Sequence, residues 1–149
     1  MLLLIVSIIS SVVITDIISS LSSTRLEAAK WKLIGDILYA QNLSVTQQIN
    51  HGIIFAPASN NYSLYSQNTA NIEKDPLSPD KDFTVDYSAD PNFSGVSLAV
   101  PSFGNQLEFD SFGVPSDGTN NLTSDGTVSL SSGASNVTVT ITKNTGKVN

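Results

Sequence analysis

One histidine, His51, and no cysteine set the first limit on what chemistry the chain can do. Zinc sites draw on Cys and His in sets of three or four, so no zinc site is expected. A serine hydrolase must bring Ser, His and an acid together. No Gly-x-Ser-x-Gly is present, and His51 has no recognisable partner in the sequence. No phosphate-binding glycine loop occurs either. We therefore expect no enzyme, no catalytic residue and no cofactor. His51 stands beside Gly52 after a helical pattern. It reads as a capping or solvated residue favoured by the helix dipole, and Gly52 reads as the helix terminator.

Asp110, Asp117 and Asp125 fall among Gly113, Gly118 and Gly126. Oxygen-rich loops of this kind can hold calcium. The spacing of an EF-hand is absent, and Asp-Gly steps are chiefly turn formers. The expectation is turns and no metal, with calcium the open alternative. Asn-x-Ser/Thr recurs at Asn42, Asn61, Asn92, Asn121 and Asn136. In a chain so rich in these residues the matches read as chance, and they would carry glycans only in a eukaryotic secretory setting.

These residues are carried by 149 positions, enough for one domain with a real core. Charged residues make up only 13%, against about 25% in a typical soluble domain. Ser, Thr and Asn fill the gap, which suits a secreted or periplasmic β-rich domain. The net charge is −6. Residues 1–32 hold two acidic and three basic side chains, a sum of +1, which leaves −7 for the rest. So acidic a body repels phosphate backbones, and nucleic acid is not expected as a partner.

The chain opens with no charge before Asp16. A cleaved signal peptide would need a basic start, and none precedes the run. A membrane helix needs roughly 20 apolar residues, and Met1–Ile18 approaches that length. Ser7, Ser10, Ser11 and Thr15 interrupt it with hydroxyls, which helices in lipid tolerate. The positive-inside rule would prefer a basic flank before the run, whereas Arg25, Lys30 and Lys32 come after it. A buried core helix is the other reading, for which this uncharged start is long.

The helical pattern then continues. Leu26, Ala29, Leu33, Ile37, Ala40 or Gln41, and Ser44 or Val45 recur at three- and four-residue steps. Glu27, Lys30, Lys32 and Asp36 lie mainly off that stripe. No Pro appears before Pro57. The reading is one helix over residues 2–50, weakly interrupted near Ser19–Thr24 and roughly 70 Å long. Its first part, residues 1–21, is apolar all round. Its second, residues 22–50, is amphipathic. A small domain cannot cover such a helix, so the first part must enter lipid or pack on other subunits. The residues assigned to that membrane and assembly surface are Leu2, Leu3, Leu4, Ile5, Val6, Ile8, Ile9, Val12, Val13, Ile14, Ile17 and Ile18.

Residues 51–149 have a different texture. "GIIFAPA" and "NYSLYSQ" read as strands separated by "SNN". Residues 68–81 read as a loop. "DFTVDYS", "SGVSLAVPS", "QLEFDSFG", "GTVSLSSG" and "SNVTVTITKNTG" read as further strands, with Gly104-Asn105 a hairpin-type signal between two of them. In the last, Val137, Val139 and Ile141 should face the core and Thr138, Thr140 and Thr142 the solvent. Six or seven short strands after one long helix make an α+β plan, with the sheet packed on the amphipathic half.

That plan resembles type IV pilins and pseudopilins, and in detail the GspH/FimT group. "LIGDILYAQNLSVTQQINHGIIF" resembles the helix end and first strand of the group. "LEFDSFGVPSDG" resembles its strand with Gly-x-Pro. "GTVSLSSGASNVTVTITKNTGKV" resembles its closing pair of strands. The resemblance implies a pilin-like fold and a structural minor pseudopilin of a type II secretion system or type IV pilus-like filament. It also implies a single-pass inner-membrane protein with its C-terminal domain in the periplasm or outside the cell. Implied partners are other pilin or pseudopilin subunits, the inner membrane before assembly, and secreted cargo. Some pseudopilins bind calcium.

The group begins with a basic leader, a cleavage point after Gly, then Phe-Thr-Leu-Ile-Glu. Here leader and glutamate are absent. "MLLLIVSIISSVVI" resembles the apolar helix that the group places directly after that motif, so Met1 reads as internal and the native start as upstream. Prepilin processing with methylation belongs to that upstream start. FimT-like relatives bind DNA through a Gly-Arg-x-Arg-type tail. The matching positions read Gly146-Lys147-Val148-Asn149, with one basic residue. DNA uptake is thus a weaker alternative, as is a membrane-anchored binding module for carbohydrate or another ligand.

Overall fold

A computed structural model describes the backbone of residues 2–149 and the side chains of residues 21–149. Helix α1 (Leu2–Gln47) comes first. The apolar run assigned to membrane and assembly, Leu2 to Ile18, lies outside the residues whose side chains are described. In the amphipathic half, Leu26, Ala29, Leu33, Ile37, Ala40 and Ser44 are buried, the stripe that the three- and four-residue spacing marked. This stripe packs on strands of both main sheets.

The helix ends without help from glycine. Gln48 takes the left-handed conformation, φ 58°. Ser44 Oγ accepts the His51 backbone N–H at 2.9 Å, which folds the chain back onto the last helical turn. Gly52 is not the terminator that its position suggested. It lies inside β1 (His51–Ala56), where a Cβ would stand 2.6 Å from the Tyr65 hydroxyl and against the Leu107 carbonyl. Glycine is there because another strand and a ring come too close for a side chain.

β1 pairs antiparallel with β2 (Asn61–Ser66) and β7 (Gln106–Phe109). β5 (Thr84–Asp86) and β8 (Pro115–Ser116) complete a five-stranded antiparallel sheet in the order β5-β2-β1-β7-β8. A second sheet holds β10 (Ser135–Ile141), β9 (Gly126–Ser132) and β6 (Ser97–Leu98) in that order. β9 and β10 form the expected closing hairpin. Val139 and Ile141 point into the core, and Thr138 points to solvent.

Two sequence expectations fail here. Gly104-Asn105 joins no hairpin, because β6 pairs with β9 and β7 with β1. The chain changes sheets at this point, and the Asn105 carbonyl accepts the Phe55 N–H at 2.7 Å. Residues 68–81 are also more than a loop. β3 (Lys74–Asp75) and β4 (Ser78–Asp82) form a two-stranded hairpin turned at Pro76-Leu77. It interrupts a strand that lies along β2. Ile72 bridges Tyr65, Leu64 bonds both Glu73 and Phe83, and Thr84 resumes the pairing at Ser63. The hairpin therefore stands out from the sheet edge, with Leu77 at its tip 91% exposed.

Candidate functional site

Where α1 meets the five-stranded sheet, a polar group is buried that the sequence pattern set off the apolar stripe. Asp36 lies off the apolar stripe but is only 6% exposed. Lys32, one helical turn earlier, holds both of its carboxylate oxygens at 2.7 Å. The buried Tyr62 donates its hydroxyl to Asp36 Oδ2 at 2.7 Å. Beside it, Tyr87 donates to the Ala29 carbonyl at 3.3 Å. Tyr62 and Tyr87 meet edge to face, with centroids 5.8 Å apart.

Burial pushes the Asp36 carboxyl above its usual range, against the lowering effect of Lys32 and Tyr62. Burial likewise raises Tyr62 and Tyr87. The carboxylate thus ties Lys32 on α1 to Tyr62 on β2, joining helix and sheet through polar bonds that a partly buried setting strengthens. The sequence signal was available: Asp36 adjoins the buried Ile37 and sits four residues after a lysine.

A cleft of about 520 Å³ opens next to this group. Its floor is the Tyr39–Phe83 ring pair, stacked at 6.0 Å. Its walls are the β3–β4 turn, β5 and the Ala89–Phe93 segment. The Lys32 ammonium lies 4.9 Å from the Phe83 ring centre. Asp75, Asp86 and Asp90 also line the cleft.

The exposed face of α1 carries a second apolar row. Leu21, Ala28, Trp31, Gly35, Leu38 and Val45 are all exposed, at steps of three, four and seven residues. The row is displaced by two residues from the buried stripe, about 200° around the axis. Trp31 is 63% exposed. At Gly35 a Cβ would meet nothing within 4 Å. Three- and four-residue spacing on an outward face is a geometry that another helix can fill.

The remaining sequence candidates have plain local roles. His51 is buried in β1, neither solvated nor a helix cap by its ring. Its Nδ1 lies 3.2 Å from the Ile49 carbonyl, and Nε2 faces Glu73 Oε1 at 3.2 Å. Asp110 accepts the Phe112 and Val114 N–H groups. Asp117 accepts those of Thr119 and Asn120, and the Asn120 and Thr119 N–H groups hold its carboxyl below the usual range. Asp125 accepts the Lys143 N–H at 3.0 Å. Asp110 and Asp117 each close their own turn, and Asp125 ties its loop to the end of β10. Among the described residues, no three His, Cys, Asp or Glu side chains are grouped to hold a metal.

The tail Gly146-Lys147-Val148-Asn149 is tied into the fold. Val148 bridges Ile141, and Asn149 exchanges bonds with Thr140 at 3.0 Å. Gln41 of α1 donates to the Thr145 and Gly113 carbonyls, both at 2.9 Å. Among the described residues, no helical stretch is long and apolar enough to cross a membrane.

Among solved structures, the chain resembles the minor pseudopilin EpsH of the Vibrio cholerae type 2 secretion system. The TM-score is 0.61 at 11% identity, over 84% of this chain and 94% of that one. It also resembles the type IV minor pilin FimU of Pseudomonas aeruginosa, with a TM-score of 0.59 at 14% identity. That match spans 83% of this chain and 86% of FimU. No family model matches the sequence, and no curated protein matches it either. The likeness is one of fold: a long N-terminal helix followed by antiparallel sheets, as in minor pilins and pseudopilins.

Proposed function

We propose, from the minor-pilin fold as premise, that this chain is a structural subunit of a type II secretion pseudopilus or a type IV pilus-like filament. One observation carries the reading. Helix α1 runs for 46 residues, yet among the described residues its buried stripe begins only at Leu26. The exposed row from Leu21 to Val45 gives a partner helix a surface to pack on. In this reading Leu2–Ile18 hold the subunit in the inner membrane before assembly. The same side chains then pack against helices of neighbouring subunits, because an apolar surface suits lipid and helix alike. The β region lies on the periplasmic or external side, available to neighbouring subunits or secreted cargo. The role is structural, not catalytic.

The test is triple alanine substitution at Ile5, Ile9 and Val13. Incorporation into filaments sheared from cells should fall about tenfold or more, while urea unfolding of the β region stays unchanged. Normal incorporation would sink the proposal and leave a plain anchored module.

A further inference from the structure

We propose that the cleft between α1 and the β3–β4 hairpin docks an extended polypeptide segment carrying an arginine or lysine among apolar residues, supplied by another protein. Charge complementarity argues for the cation. Among the described residues, Lys32 is the only basic side chain lining the cleft, and Asp36 engages it. Asp75, Asp86 and Asp90 remain as partly buried carboxylates around an aromatic floor. Each accepts a backbone N–H of its own turn through Oδ1, which restrains the carboxylate beside the cleft it lines. Lys32 shows the chemistry that the floor accepts, with its ammonium over the Phe83 ring. A guanidinium suits the same surroundings, between a ring face and carboxylates.

Two further features argue for a polypeptide over a free amine. β5 is the edge strand of its sheet, and it forms one wall of the cleft. An added strand can pair along such an edge. Leu77 projects from the lip of the cleft at 91% exposure, where only a longer partner would cover it. The chain's own charge of −6 disfavours a second copy as the occupant. This inference is independent of the filament reading, since its test needs no assembly.

The experiment titrates the ¹⁵N-labelled full chain, in detergent micelles, with an acetylated octapeptide of alternating valine and threonine around a central arginine. A citrulline version keeps the shape and removes the charge. Saturable shifts at the Leu77, Thr84 and Val85 amides are expected. Binding should weaken about tenfold with citrulline, and by a similar factor in the Asp86→Asn/Asp90→Asn variant. Asparagine keeps the turn-capping oxygen, and an otherwise unchanged spectrum verifies the fold. Leu77→Ser is a second variant, outside the core, that should also weaken binding. Any of four results would overturn the proposal: no saturation, equal affinity for the citrulline peptide, equal affinity in both variants, or spermidine binding as tightly as the peptide. Self-association of the chain through the same amides would overturn it too.

Discussion

Burying Asp36 between Lys32 and Tyr62 couples the titration of one carboxyl to the stability of the whole molecule. Burial raises this carboxyl above its ordinary value of 3.8. The folded chain therefore holds that proton more tightly than the unfolded chain does. The resulting stabilisation is complete below 3.8 and is lost as the pH rises through the raised folded value. Asp36→Asn has no charge to lose, so its stability relative to the parent should increase with pH across that window. Urea unfolding from about pH 3 to about pH 7 checks the sign, and parallel curves for the two proteins would refute it. Gly52 makes a separate prediction. Gly52→Ala places a Cβ against the Leu107 carbonyl and 2.7 Å from Tyr65 Cζ. The expected loss is about 1–3 kcal/mol by overpacking, read from the shift in urea midpoint. Sequence alone could not find this role, because a glycine just past a helix end reads equally as a cap or as a close approach. Only the position of Tyr65 on the paired strand decides between them.

At the scale of elements, α1 was the most legible because its periodicity records burial directly. Leu26, Ala29, Leu33, Ile37, Ala40 and Ser44 all fall on one face, and no tertiary information is needed to see it. The β9–β10 pair was legible for the same reason, with Val139 and Ile141 alternating with threonine. The β3–β4 hairpin was not, since residues 74–82 carry no apolar pattern of their own and β2 determines where the segments on either side of them lie. The Gly104-Asn105 step misled because glycine reports a bend but not the sheet that the next strand joins. Gln41 ties the helix to the carbonyls of Thr145, at the start of the C-terminal tail, and of Gly113. Gln41→Leu should cost about 1 kcal/mol and speed amide exchange at Gly146 and Asn149, leaving β1 and β2 protected. Uniform exchange rates in the variant and parent would show that the tail is held by its strand bridge alone.

For the molecule as a whole, the described part of α1 has two unlike faces. From Leu26 onward one face of α1 serves the core, and the opposite face stays open at Trp31, Leu38 and Val45. This division explains why the filament test can be read cleanly: the positions it alters precede the buried stripe, so a loss of incorporation need not be a loss of folding. It also explains how the plan could be recognised at 11% identity to a pseudopilin structure. The plan asks for a period of three to four, a change of texture after His51 and a closing pair of alternating strands. Many side chains meet those demands, and few specific identities are required.

The interruption of the strand beside β2 has a practical consequence. Glu73 and Phe83 both bond to Leu64, one through its carbonyl and one through its N–H, and the Phe83 N–H reaches the Glu73 carbonyl at 2.7 Å. The two ends of the excursion thus meet at one rung of the ladder. Excising residues 74–82 and ligating Glu73 to Phe83 would leave two residues opposite one, an ordinary β-bulge. The site is a natural splice point, a port at which a fluorophore tag, an epitope or a hairpin of different length can be exchanged while the sheet on either side keeps its register.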